Sequence, residues 1–264
     1  MLALITGGSS GIGLAMAREL GRRGYDLLLV SRTASRLDAA AASLHEDTGR
    51  TVVTHAVDLS AHGAAQALFD WIGEQQFDVE VLVNNAGAFL FNDVVATSPE
   101  RLESFYTLDV ETPLLLCRLF GEAMAARSPQ RGGQRGYILN VSSYSICMPW
   151  PGLAVYSSAK SAVHTLSLAM SREMRERDVY VIATAPAAVA TGLVGLTDHW
   201  MRIGQRLGVI MSADKVARIS LRALFRGRRQ VIPGWYYRPL MPLLRHMGPA
   251  ATRLLRKKTL RFQK

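Results

Sequence analysis

Six short apolar runs punctuate the chain: Leu2–Thr6, Asp26–Val30, Thr51–Val57, Val79–Val83, Gly136–Val141 and Val179–Ala185. Continuous runs of this kind, without strict alternation, mark strands buried on both faces. Between them lie amphipathic stretches, the first with Leu14, Ala17 and Leu20 at helical spacing. Strands alternating with amphipathic helices predict an α/β fold of repeated β-α units around a parallel sheet. No sequence period accompanies the alternation, so the repeat is one of architecture. A chain of 264 residues is long enough to bury such a core as a single undivided domain.

Two segments carry candidate chemistry. The first run leads directly into Gly7-Gly8-Ser9-Ser10-Gly11-Ile12-Gly13, and a helical pattern follows. Strand, glycine turn and helix together point unpaired backbone N–H groups and a positive dipole end at a phosphate. Glycine is needed where a Cβ would keep the pyrophosphate away. By itself, such a turn is also an ordinary connector. The second segment is Val155-Tyr156-Ser-Ser-Ala-Lys160. On a helix, Tyr156 and Lys160 share one face, and a nearby cation stabilises the phenolate enough for acid–base work. Ser143, thirteen positions before Tyr156, supplies a hydroxyl from a strand end; Ser142 offers the same group, and only spacing separates the two.

In combination these segments resemble the short-chain dehydrogenase/reductase family. Thr6–Gly13 matches its cofactor turn, and Asn84-Asn85-Ala86-Gly87 its second signature. Ser143, Tyr156 and Lys160 match its catalytic set in order and spacing, and Pro186–Thr191 a further segment. The similarity runs from about Leu2 to about Pro233. It implies a doubly wound (Rossmann) sheet of about seven parallel strands with helices on both faces. It also implies an oxidoreductase passing hydride between a nicotinamide and a ketone or alcohol. Tyr156 would be the general acid/base and Ser143 would hold the carbonyl oxygen. Lys160 would bind the nicotinamide ribose and tune Tyr156. Gly7, Ser9, Ser10, Gly11, Ile12 and Gly13 would hold the pyrophosphate. Asp58 and Leu59 would meet the adenine. Asn85, Ala86 and Gly87 would line the cofactor, and Val189 and Thr191 would fix the carboxamide. Dimers or tetramers are expected, assembled through helices around 110–127 and 154–177.

The second run ends in Ser31-Arg32, where the family's NAD(H)-binding members carry an acidic residue. Arg32 offers a charged planar fork suited to a 2′-phosphate, with hydroxyls from Ser31 and Ser10. NADP(H) is therefore expected over NAD(H), and reduction over oxidation. Two positions depart from the family pattern. Asp109 stands where many members have asparagine, which brings a carboxylate near Lys160 and opens a second reading: a catalytically weak, cofactor-binding regulatory protein. Ala187 replaces a usual glycine.

Charge is distributed unevenly. From Lys215 onward there are fourteen Lys and Arg and no acidic residue, so the positive excess is C-terminal. Residues 234–264 form a basic, apolar extension in which leucines and aromatics mix with arginines and prolines. Two readings stay open: contact with an anionic bilayer surface, or packing over the substrate cleft or a neighbouring subunit. No nucleic-acid reading motif accompanies the charge. Cys117 and Cys147 form no disulfide framework, the histidines show no metal-ligand spacing, and His164 reads as a packing residue. The first strand run follows Met1 directly, so no leader is expected, and no run reaches the ~18 apolar residues of a membrane span. A cytoplasmic location is expected, with a membrane-peripheral one as the second option. The family shapes its pocket with the segment here numbered 192–207 and the loop before Tyr156. Leu193, Trp200, Ile203, Met148, Trp150 and Leu153 lie there and predict a lipophilic carbonyl substrate, such as a ketoacyl chain or a steroid.

Overall fold

A computed structural model describes residues 1–127, 135–191, 202–203, 210–234, 237, 239–248 and 251–252. Of the predicted substrate segment, Leu193 and Trp200 lie outside the described residues, as does the basic run 253–264.

Seven parallel strands form one sheet in the order β3-β2-β1-β4-β5-β6-β7. They are β1 (Leu2–Thr6), β2 (Asp26–Ser31), β3 (Val52–Ala56), β4 (Val79–Asn84), β5 (Gly136–Val141), β6 (Val179–Thr184) and β7 (Gln230–Val231). The helices are α1 (Gly11–Gly21), α2 (Ala34–Thr48), α3 (Ala64–Glu74), α4 (Pro99–Tyr106), α5 (Thr112–Arg127), α6 (Ala154–Glu173), α7 (Ala213–Phe225) and α8 (Leu240–Arg245). The apolar runs are strands because both of their faces are covered. Ala3, Ile5, Leu27, Leu29, Val81 and Val83 pack with α1, α2 and α7. The alternate residues Leu4, Leu28, Val30, Leu82, Ile138 and Val181 pack with α3, α5 and α6.

Two elements differ from the hydrophobic pattern. At the sheet edge, β3 is shorter than the run Thr51–Val57 and only half-buried, because a single neighbour, β2, pairs with it. β7, two residues long, was not marked by any apolar run. It is nonetheless fixed by the pairs Ala183↔Gln230 and Thr184↔Val231.

Strand order reverses at β1, where β2 lies on one side and β4 on the other. In a sheet of this kind, ligands bind beyond the carboxyl ends of the strands at that reversal. Helix starts prepare the same edge in two ways. Ser98 caps α4 by accepting from the Arg101 N–H, with Pro99 in the first turn. Ser10 and Thr33, at the starts of α1 and α2, make no such cap bond, which leaves those N–H groups available. Between α4 and α5 the backbone winds through a π-helical turn, Thr107–Glu111. Such an inserted residue is a frequent companion of functional sites.

Of the two readings of the C-terminal extension, the described residues follow the packed one. Tyr237 is buried, and α8 lies against the turn after β5.

Candidate active site

The glycine turn is braced from β4. The Thr6 hydroxyl accepts from the backbone N–H groups of Asn85 and Ala86, each at 3.0 Å, and donates to the Val83 carbonyl at 3.3 Å. The Asn85 amide donates to the carbonyls of Thr6 and Gly7 at 3.0 and 3.2 Å. This arrangement leaves no room at Gly13, where a Cβ would lie 2.3 Å from the Gly7 carbonyl oxygen and 2.5 Å from the Asn85 amide. Turn, brace and uncapped α1 form a cradle that fits a dinucleotide pyrophosphate. In the same row, Arg32 is exposed beyond β2, and the buried Ser31 hydroxyl has no hydrogen-bond partner. Asp58 accepts from the Ser60 N–H at 2.9 Å and the Ser60 hydroxyl at 2.7 Å. Those bonds, with the Arg32 charge nearby, hold its carboxyl below the usual range against the opposing effect of burial. Arg32 and Asp58 thus share one end of the cradle. The Leu59 side chain is core, and its carbonyl accepts from Thr112.

Catalytic candidates from β5 and α6 meet beside it. Tyr156 and Lys160 are both buried on α6, with the Lys160 ammonium 5.9 Å from the phenol ring centre. Phe89 stands edge-on to Tyr156 at 5.0 Å, and Phe105 packs at 6.5 Å, so the ring has little freedom to turn. Both candidate serines line one cavity, and they differ in their contacts. Ser142 is buried and donates to the Lys160 carbonyl at 2.8 Å, a structural bond. The Ser143 hydroxyl accepts from the Ser145 N–H at 3.1 Å and keeps its own proton to donate.

Asp109 sits within the π turn, fully buried, with Oδ1 2.8 Å from Lys160 Nζ. Its Oδ2 accepts from the Ala88 N–H at 2.8 Å. Both neighbours are donors, so the position requires two acceptor oxygens, and an amide supplies one. The carboxylate is therefore matched to its surroundings. Gly87 allows the pair to form: a Cβ there would lie 2.8 Å from Asp109 Oδ1 and 3.1 Å from Lys160 Nζ. Burial alone would lower the lysine pKa, but the charges of Asp109 and Tyr156 and the hydrogen bond to Asp109 outweigh it. The net direction is upward, so the ammonium persists through the neutral range.

Over these groups opens a cavity of about 410 Å³ whose walls include Asn85, Gly87, Ser143, Tyr156, Lys160, Val189 and Thr191. Ile12 from the glycine turn thus meets Asn85 and Gly87 after β4, Ser143 after β5 and Val189 and Thr191 after β6, with Met148, Trp150 and Leu153 from the loop before α6. Gly7, Ser9, Ser10, Gly11, Gly13, Ser31, Arg32, Asp58, Leu59 and Ala86 are not on this wall. Ala187 is also on the wall and lies outside the positive-φ positions, so it carries no backbone strain. Ile203 is half-buried and is not among the residues lining the cavity. His164 lies outside as well, its pKa lowered by burial, in keeping with a packing role.

Sequence reasoning passed over Phe89, Phe91, Tyr237, Leu244 and Thr252, which complete the wall. Phe89-Leu90-Phe91, directly after the Asn-Asn-Ala-Gly segment, was a legible sign of an apolar lining. Nothing local marks Tyr237 or Leu244, which arrive from the far end of the chain.

Comparison with known proteins agrees with this geometry. The short chain dehydrogenase family profile matches residues 1–202. Human 17-beta-hydroxysteroid dehydrogenase type 3 is 31% identical over 195 residues, covering 72% of this chain and 60% of that protein. This chain therefore spans less than two thirds of that relative. Mouse very-long-chain 3-oxoacyl-CoA reductase is 28% identical over 248 residues, covering 89% of this chain and 76% of the relative. Among solved structures, a short-chain dehydrogenase from Sphingobium yanoikuyae in complex with NADPH superposes with a TM-score of 0.75 at 29% identity. The match covers 98% of this chain and 93% of that one. With the ordered motifs, the seven-stranded parallel sheet and the profile match all in agreement, the chain belongs to the short-chain dehydrogenase/reductase family.

Proposed function

We propose that the chain is an NADP(H)-dependent carbonyl reductase for bulky, lipophilic ketones. The observation that carries this reading is the meeting of Ser143, Tyr156 and Lys160 on one apolar cavity, at the strand edge that holds the glycine cradle. The glycine turn and the α1 N-terminus would hold the pyrophosphate. Arg32 and the unpartnered Ser31 hydroxyl suit a 2′-phosphate, and Val189 and Thr191 would orient the nicotinamide carboxamide. Bound there, the dinucleotide supplies hydride to a carbonyl carbon.

The chain's own residues manage the oxygen and the proton. Ser143 donates to the carbonyl oxygen and holds it in line. The Tyr156 phenol gives its proton to the oxygen as negative charge develops there, and takes one back in the oxidative direction. Lys160, kept charged by Asp109, stabilises the phenolate left behind. Among the described wall residues Lys160 is the one cation, and Asp109 already pairs it. The cavity therefore suits an uncharged substrate body, as a steroid or the acyl portion of a ketoacyl compound would present.

The test is NADPH consumption against a panel of steroidal ketones, ketoacyl thioesters, compact ketones and sugars. Turnover concentrated among the lipophilic carbonyls supports the reading. NADPH binding without turnover of any carbonyl overturns it in favour of a regulatory protein of the same fold.

A further inference from the structure

We propose that the C-terminal segment bearing Tyr237, Leu244 and Thr252 is the specificity wall of the pocket, gripping the body of a bulky ketone while Ser143 and Tyr156 take its carbonyl. The inference rests on the carbonyl-reductase reading of the same site. All three residues line the cavity that holds the catalytic groups. Tyr237 is 7% exposed, although thirteen basic residues are among the forty-nine that follow Lys215. Among the described residues of the segment, Tyr237 and Thr252 are buried and Leu244 is half-buried.

Two fastenings fix where this wall stands. The Tyr144 hydroxyl donates to the Tyr237 carbonyl, and the two rings pack 5.2 Å apart. The Trp150 indole N–H donates to the Leu244 carbonyl at 3.0 Å. Tyr144 follows Ser143 directly, and Trp150 belongs to the loop that leads into α6 and Tyr156. The wall is thus tied to the two segments that carry the reacting hydroxyls, and its distance from the carbonyl is set by them. Behind it, Met241 and Leu244 pack against a cluster of Cys147, Met211 and Val216. On an adjoining face of α8, Leu243 is 64% exposed. Neighbouring leucines on one short helix therefore face different surroundings, and Leu244 is the one given to the pocket.

A compact ketone can reach Ser143 and Tyr156 without touching this wall. A tetracyclic ketone fills the remaining space and exchanges water for contact with Tyr237 and Leu244. Loss of one such apolar contact is worth on the order of 10-fold or more in kcat/KM.

The experiment uses the full chain and compares Tyr237→Ala, Tyr237→Leu, Leu244→Ala and Trp150→Phe with the wild type. The last keeps a ring and removes the donor to Leu244. Readouts are kcat/KM for a tetracyclic ketone and for cyclohexanone, NADPH affinity by fluorescence quenching, and calorimetric binding of the tetracyclic ketone to the NADP+-loaded chain. The expected result is a ratio of tetracyclic to compact kcat/KM that falls about 10-fold in both alanine variants, with NADPH affinity held. Tyr237→Leu carries the tyrosine test if Tyr237→Ala does not fold. An unchanged ratio and unchanged ketone affinity in the folded Tyr237 and Leu244 variants overturn the wall. If the wild type binds the tetracyclic ketone and the variants lose that binding, but none turns over, the wall stands and the carbonyl-reductase reading fails.

Discussion

The two sides of the active site are built in different ways. The cofactor side is braced within the sheet: Thr6 and Asn85 join β1 to the end of β4 through repeated hydrogen bonds, and Gly13 admits no added atom. The opposite wall arrives from the far end of the chain and is held by two bonds to main-chain carbonyls and by apolar packing. A side built from neighbouring strands tolerates little change, because any displacement disturbs the core beneath it. A side tied on from outside can be altered without disturbing the sheet. On the reading proposed above, the difference separates the part that would fix the chemistry from the part that would select the molecule.

The strongest way to test this division is at its boundary. Tyr156→Phe keeps the ring between Phe89 and Phe105 and removes the proton donor, so kcat should fall by about 10³-fold while NADPH affinity is held. Normal turnover in this variant would mean that the chemistry lies elsewhere. A smaller effect is expected at Asp109→Asn, which leaves the Lys160 ammonium and the Ala88 N–H competing for one oxygen. Breaking a buried pair of this kind costs about 3 kcal/mol, readable by urea unfolding at neutral pH. The sign with pH follows from the raised lysine pKa. The stabilisation is complete below the lysine's unfolded value and disappears as pH rises through the folded one. The stability gap between wild type and Asp109→Asn should therefore be constant through the neutral range and close under strongly alkaline conditions. A variant as stable as the wild type would show that the carboxylate is not needed. The smallest effect is expected at exposed Arg32. Arg32→Asp should shift the ratio of kcat/KM for NADPH over NADH towards NADH by about 10-fold, with kcat on saturating cofactor little changed. Equal ratios in both proteins would remove Arg32 from cofactor choice.

Much of the cofactor side was legible because its signals are local. Leu2–Thr6 and the glycines that follow stand next to one another, and close packing against β4 leaves few alternatives. Tyr156 and Lys160 were equally readable, since helical spacing alone places them together. Ser143 was picked over Ser142 by spacing alone, and the tertiary contact that sets them apart, the bond from Ser142 to the Lys160 carbonyl, has no local sign. The effect of Asp109 stayed open in sequence. Its fitness depends on the Ala88 N–H, twenty-one positions away, which no local pattern reveals. Tyr237 and Leu244 were harder still: nothing in a basic, proline-broken tail specifies which face turns inward. The strand β7 escaped because two residues cannot display a periodicity.

The π turn at Thr107–Glu111 has a consequence for how this site can change. One surplus residue there rotates everything before it by about 100° relative to everything after it. Loss of a single residue from the turn would restore a regular coil, leave α4 and α5 intact as helices, and swing the carboxylate off the ammonium. The electrostatics of the site thus depend on the count of residues in one loop of backbone as much as on their identity, and a family member could gain or lose this ion pair by insertion or deletion without exchanging any amino acid.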